Sequence, residues 1–240
     1  MQRYDSAWRY NARMMNLNEH SAIPATTRGS DWFRLTITSF LISLTMLAAP
    51  HYSHTQEVQN KSWVGYYPLA MGNAWTYRVS GNSETRPTVW RVINVKPDAS
   101  GPVFAVWPTP SNSDDEGMNL QFTSEGLHES NYDFFVLRFP ITKGNTWSVS
   151  RHDQKRVFLV LSEGERCAVG KFKFQSCAVV RDDDPEVKLR IVTTYALGVG
   201  PVQYEYYKLL RDGAATEATQ VLRIVSFSVK PSERSPQPKS

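Results

Sequence analysis

The chain has 240 residues, 41% of them hydrophobic and 21% charged, enough apolar surface for one principal globular core. Its formal charge is +4 and its pI about 9.0, but much of that excess sits in the first 49 residues. Beyond them the chain has 22 basic and 20 acidic residues and no Lys/Arg block, so a nucleic-acid-binding footprint is excluded.

Residues 1–34 are polar, with Arg28 and Arg34 shortly before an uncharged run, Leu35 to Ala49 (LTITSFLISLTMLAA). That run has the length of a signal-peptide core and falls short of the ~20 residues a membrane span needs. Small residues Ala48 and Ala49 close it, and Pro50 displaces the expected cut a few residues onward. Residues 1–49 therefore read as a signal-peptide helix with a long polar n-region, residues 50–62 as a leader, and 230–240 (KPSERSPQPKS) as a disordered tail. Export to the periplasm or outside the cell follows, leaving no stable transmembrane span after cleavage. The alternative is an uncleaved N-terminal segment that anchors the chain to the inner membrane.

Residues 63–229 read as a single β domain. Val187, Leu189, Ile191, Thr193 and Tyr195 alternate with Lys188, Arg190, Val192 and Thr194, the pattern of a strand with one buried face. Similar strands are predicted at 75–80, 88–95, 103–107, 119–123, 134–139, 146–150, 157–162, 172–180, 202–210 and 221–229. The separators are turn residues: Ser80-Gly81-Asn82, 97–102, Glu163-Gly164, Arg181–Pro185 and Arg211-Asp212-Gly213. A short helix or hairpin loop is expected near Ala214–Ala218. The fold class is all-β: an antiparallel sheet curved into a half-barrel, barrel or sandwich.

One decapeptide occurs twice. Tyr67-Pro68-Leu69-Ala70-Met71-Gly72-Asn73-Ala74-Trp75-Thr76 returns as Phe139-Pro140-Ile141-Thr142-Lys143-Gly144-Asn145-Thr146-Trp147-Ser148, offset by 72 residues. Proline lacks an amide donor and suits the position before strand pairing. Gly-Asn tolerates a left-handed turn, and Trp opens the next strand. Three readings stand: shared turn chemistry, two equivalent elements of a duplicated β unit, or a ligand site at the two tryptophans.

Candidate chemistry is sparse. Cys167 and Cys177 are the only cysteines, and an exported chain with one pair is expected to bond them, given a bulge that brings them into reach. With no CxxC and no adjacent His, they make no zinc set. His20, His51, His54, His128 and His152 carry no motif, and no G-x-S-x-G is present. Asp114-Asp115-Glu116 and Asp182-Asp183-Asp184 lack EF-hand spacing and read as solvated turn acids. Gly198-Val199-Gly200-Pro201 reads as a turn or bulge rather than a phosphate loop. Strand aromatics Trp75, Trp90, Trp107, Trp147, Tyr204 and Tyr206 are core candidates, and in a curved sheet they would line an apolar ligand site. No cofactor or metal is implied.

The stretches Tyr67-Pro-Leu-x-x-Gly-Asn-x-Trp-x-Tyr77, Val169-Gly-Lys-Phe172 to Cys177-Ala-Val-Val180, and Tyr195-Ala-Leu-Gly-Val-Gly-Pro-Val202 resemble a broad group of uncharacterised exported bacterial β-rich proteins. Some members of that group are similar in general design to the periplasmic lipoprotein-carrier half-barrel. That group has no settled activity, so no catalytic residues carry over from it. With no catalytic motif and with aromatics in a curved sheet, the residues read as a non-catalytic exported protein of the bacterial cell envelope, its partner an apolar small molecule, a lipid or an envelope protein. The alternatives are a structural or protein-interaction module and, third, a hydrolase with a spatially assembled site.

Overall fold

The computed structural model describes residues 63–80, 86–109, 117–151, 154–210 and 212–230. The expected signal peptide and leader, the tail beyond Lys230, Asp114–Glu116 and His152 lie outside the described residues. Among the described residues a single 3-10 turn, Val64–Tyr66, precedes twelve strands. These are β1 (Ala74–Val79), β2 (Thr88–Lys96), β3 (Val103–Thr109), β4 (Met118–Phe122), β5 (Gly126–Glu129), β6 (Phe134–Arg138), β7 (Thr146–Arg151), β8 (Gln154–Val169), β9 (Phe172–Asp184), β10 (Leu189–Ala196), β11 (Gly200–Leu209) and β12 (Ala215–Ser228).

All twelve form one sheet in the order β6-β5-β4-β3-β2-β1-β12-β11-β10-β9-β8-β7, every pair antiparallel. Two six-strand meanders are thus joined along a β1–β12 seam that runs from Ala74↔Ser228 to Val79↔Leu222. β6 and β7 follow one another in the chain, yet they are the two ends of the sheet. The right-handed twist of so many strands curls the sheet until those ends meet. There the contact is made by side chains: Trp147 Nε1 donates to the Phe135 carbonyl at 2.8 Å, and Phe134 of β6 stacks on Phe158 of β8, centroids 5.7 Å apart. The result is a nearly closed all-β barrel.

The two decapeptides lead into the first strand of each meander with the same hydrogen bonds. In the first, Gly72 N donates to Val92 O (3.0 Å), Val92 N to Asn73 O (2.9 Å), Asn73 N to Ala70 O (3.0 Å) and Asn73 Nδ2 to Pro68 O (2.9 Å). In the second, Gly144 N donates to Val160 O, Val160 N to Asn145 O and Asn145 N to Thr142 O, each at 2.9 Å, and Asn145 Nδ2 to Pro140 O at 2.7 Å. Gly72 and Gly144 take φ of 85° and 89°, the left-handed region this turn requires. Leu69 and Ile141 are both buried. Trp75 then pairs with Trp90 and Trp147 with Phe158. Trp75 and Trp147 therefore hold equivalent positions in two related sheet segments.

The copies differ at the seam each one borders. Asn73 also donates to Lys230 O (3.0 Å) and accepts from Lys230 N (2.8 Å), so its side chain adds one more rung to the β1–β12 seam. The Phe139–Pro140 peptide of the second copy is cis.

Strand alternation sets the core. Trp75, Tyr77, Val92, Phe104, Val106, Leu120, Leu137, Val160, Val180 and Ile224 face inward and are buried. Some sequence expectations are corrected. Ala215 and Ala218 lie in β12, opposite Leu209 and Tyr207, because strand pairing overrides the helical preference of alanine. Glu163-Gly164 lies within β8, where the register shifts, and Arg181–Asp184 continues β9. Strand β5, only four residues long, is too short to show an alternation in the sequence.

Asn73→Ala strips three bonds from a buried side chain and orphans the groups it satisfied, and should cost about 2–3 kcal/mol, against about 1 kcal/mol for Asn145→Ala. Urea midpoints of the two variants measure this, and equal costs would contradict the seam role of Asn73.

Candidate functional site

Antiparallel alternation places the start of β1, the end of β12, both decapeptides and the β8–β9 turn at one end of the barrel, where the described chain begins at Trp63. This entry end is capped. Trp63 packs on Phe139 with centroids 5.7 Å apart, so the segment before the first decapeptide touches the second. Gly198 N donates to Gly65 O (2.8 Å), and the hydroxyls of Tyr66 and Ser176 are 2.8 Å apart.

An arm completes the cap. From Ser162 to Val169 on β8, and from Phe172 to Gln175 on β9, the two strands have ladder partners only in each other, while Ser176 O still accepts from Leu197 N (2.9 Å). The arm thus extends roughly 15–20 Å past its neighbours. Register shifts at Val160/Ser162, Ser162/Glu165 and Glu165/Cys167 bend it. Its tip reaches β12, three strands from β9 in the sheet order: Phe227 lies 5.5 Å from Phe172 and 6.5 Å from Phe174, centroid to centroid. Cys167, Val169, Phe172 and Phe174 form the inner face, while Arg166, Ala168, Lys171, Lys173 and Gln175 are exposed. The Cys167–Cys177 disulfide, Cα atoms 6.0 Å apart, ties the bent strands together at the base, and the irregular register supplies the bulge the pairing required.

Of the six aromatics singled out in the sequence, Trp75, Trp90, Trp147, Tyr204 and Tyr206 face the barrel interior. Trp107 lies opposite Arg91 whereas Trp90 lies opposite Pro108, so Trp107 is on the outer face. There it covers Gly117, where a Cβ would come within 2.5 Å of the indole. Trp75 has no accessible surface, Trp147 keeps 6% and Tyr206 9%, while Trp90 and Tyr204 are half-buried. Trp75 Nε1 donates to Val199 O (2.5 Å), and Tyr77 donates its hydroxyl proton to Pro201 O (2.7 Å). Tyr67 packs edge-on to Trp75 and Tyr77 edge-on to Tyr204. Burial raises the phenols of Tyr67, Tyr77, Tyr195 and Tyr204 well above their ordinary value, so they stay neutral.

The acidic run Asp182–Asp184 is a correction: it sits in a strand with two members turned inward, not in a solvated turn. Asp182 lies opposite Phe158 and Ile191, on the inner face. Arg156 Nε and Nη2 bond its two carboxylate oxygens at 2.7 and 2.5 Å, and Asp184 is 3.8 Å from the same guanidinium. The guanidinium lies over Phe134 (4.6 Å) and Phe158 (5.0 Å), beside the β6–β7 closure. Burial pushes the Asp182 carboxyl up, and Arg156 pulls it back. Asp183 faces outward and is bridged by Arg190 (2.5 and 3.0 Å).

A second buried acid carried no sequence signal. Glu129 is 1% exposed, and its two oxygens accept from Asn119 N (2.9 Å) and Tyr132 N (2.8 Å), holding the β5–β6 turn. Burial is the largest influence on its carboxyl and raises it, against the pull of those amides. Next to it, His128 bonds Asp133 (3.0 Å) and meets the edge of Phe135, while the Ser130 hydroxyl donates to Asn119 O. Among the described residues no group of three or more His, Cys, Asp or Glu is placed to hold a metal, and no helix is long and apolar enough to cross a membrane.

The architecture is that of a nearly closed, capped antiparallel barrel. No protein-family model matches the chain. No curated protein matches it either. Among solved structures it is similar to a "putative exported protein with YmcC-like fold" from Bacteroides fragilis, at 12% identity and a TM-score of 0.39 over 68% of this chain and 98% of the other. It is also similar to a "putative lipoprotein" from Parabacteroides distasonis, at 11% identity and a TM-score of 0.34 over the same shares. Neither description names an activity.

A carboxyl whose folded pKa is raised adds stability below its unfolded value and loses it as pH rises through the folded value. Relative to Glu129→Gln, the protein should therefore be most stable below the ordinary glutamate value of 4.5 and lose that advantage toward neutrality. Urea titrations of both proteins across this range test it; an advantage that grows with pH would contradict it.

Proposed function

We infer that this is a non-catalytic protein of the bacterial cell envelope that works from its outer surface as an interaction module. The carrying observation is the state of the barrel interior. Trp75, Val106, Leu120, Leu127 and Val202 have no accessible surface, and Tyr77, Val92, Phe104, Leu137 and Val160 have 1%. A side chain without accessible surface borders no space large enough for a water molecule. An apolar ligand site of ordinary size has a volume of ~300 Å³ or more. Ligand entry along these residues would require the core to open.

The remaining features fit that reading. The uncharged run before the barrel and the single disulfide suit an exported chain. The buried Arg156–Asp182 pair and the Glu129 carboxylate have bonding partners within the protein and organise strands rather than a substrate. Outer surfaces, by contrast, retain exposed large apolar residues, among them Met71 and Leu197 at the capped end.

The half-buried Trp90 and Tyr204 favour a second reading, a small apolar ligand held beside them on the inner face. Native mass spectrometry of protein purified from its host separates the two. The interaction-module reading expects the mass of the oxidised polypeptide alone; a stoichiometric lipid or other apolar adduct would overturn it in favour of the ligand binder.

A further inference from the structure

We propose that the capped end of the barrel docks on an anionic lipid bilayer through the outer face of the β8–β9 arm. This deepens the interaction-module reading and rests on it. Between Arg166 and Cys177 the arm carries Arg166, Lys171 and Lys173 and no acidic residue. The hairpin register sets Ala168 opposite Lys173, which places Arg166 diagonally from Lys173 on the outer face, with Lys171 in the turn beyond. All three are exposed. The arm's acids, Glu163 and Glu165, lie further back toward the barrel.

The inner face explains why the cations are held together. Phe172 and Phe174 are anchored on Phe227, and the disulfide fixes the base. The arm therefore presents its charges from a fixed platform rather than from a free loop. Long cationic side chains can reach headgroup phosphates while their stems lie against apolar surface. Such surface is present at the same end: Met71 is 48% exposed and Leu197 44%. Each Lys or Arg near an anionic leaflet contributes a separable, salt-sensitive share of binding.

The path of the chain favours a bilayer over another occupant. The described chain enters the barrel at Trp63 on this same end, with 13 residues between it and the uncharged Leu35–Ala49 run. If that run is retained, it holds this end toward the membrane. If it is cleaved, the cationic face can still return the barrel there.

The test uses protein purified from its host and an Arg166→Gln/Lys171→Gln/Lys173→Gln variant prepared in the same way. Both are co-sedimented with vesicles of phosphatidylcholine alone, and with vesicles of phosphatidylcholine and phosphatidylglycerol in equal parts. The protein should prefer the phosphatidylglycerol vesicles, lose that preference as salt rises, and bind them on the order of 100-fold more tightly than the variant. Equal partition onto both vesicles, or an unchanged variant, would overturn the proposal. So would cross-linking from Lys171 to an acidic envelope protein without any vesicle binding. Lipid held inside the barrel would survive both salt and charge removal, so failure of docking and failure of the interaction-module reading give different results.

Discussion

A meander that runs from β1 to β6, and a second from β7 to β12 joined to it only through β1 and β12, leaves two consecutive strands at opposite ends of one sheet. Twist brings those ends together, and something must hold them. On the β1–β12 side the backbone does so over the whole length of β1, and Asn73 extends the ladder by a further rung to Lys230. On the β6–β7 side the indole of Trp147 reaches the carbonyl of Phe135, and Phe134, Phe158 and Arg156 stack across the gap. The two meanders thus close by different chemistry at their two seams. The buried charge of Arg156 follows from this arrangement: it bridges the aromatic closure to the carboxylates of β9.

The same constraint positions the cap. Once the barrel is nearly closed, its entry end would expose the inner face, and three elements cover it: the decapeptide turns, the Val64–Tyr66 turn and the bent arm. Leu69 and Ile141 are buried beneath the two decapeptide turns. The arm is stabilised by the Phe172–Phe174–Phe227 cluster and by the disulfide. Capping turns the apolar side of the arm inward and leaves its cationic side exposed. Structure and proposed function are connected at this point, since inward residues such as Trp75, Val106 and Leu120 have no accessible surface while the cations of the arm are exposed.

Much of this could be read from the residues. Alternation located most strands, and Pro-x-x-x-Gly-Asn-x-Trp marked two strand entries because each of its residues meets a local requirement: a missing donor, a left-handed turn, a large buried ring. What could not be read is non-local. Asp182–Asp184 looks like a turn because three acids rarely face a core, and only the pairing with β8 and β10 supplies Arg156 and Arg190. Ala215 and Ala218 are strand residues because β11 is beside them. Trp107 differs from Trp90 only by the parity of the register across β2 and β3. Arg166, Lys171 and Lys173 are too dispersed to form a basic block in the sequence, and the hairpin gathers them. Glu129 bonds backbone amides brought to it by a turn.

One seam is closed by backbone hydrogen bonds and the other by side chains. Native-state hydrogen exchange measured amide by amide tests it most directly, because unpaired edge amides exchange through local opening while ladder amides exchange near the global limit. Amides of Ala74–Val79 and Leu222–Ser228 that face each other across β1–β12 should be protected to the level of the core. Those of Phe134–Arg138 and Thr146–Arg151 that point across the β6–β7 gap should exchange far faster. Equal protection at the two seams would contradict the account.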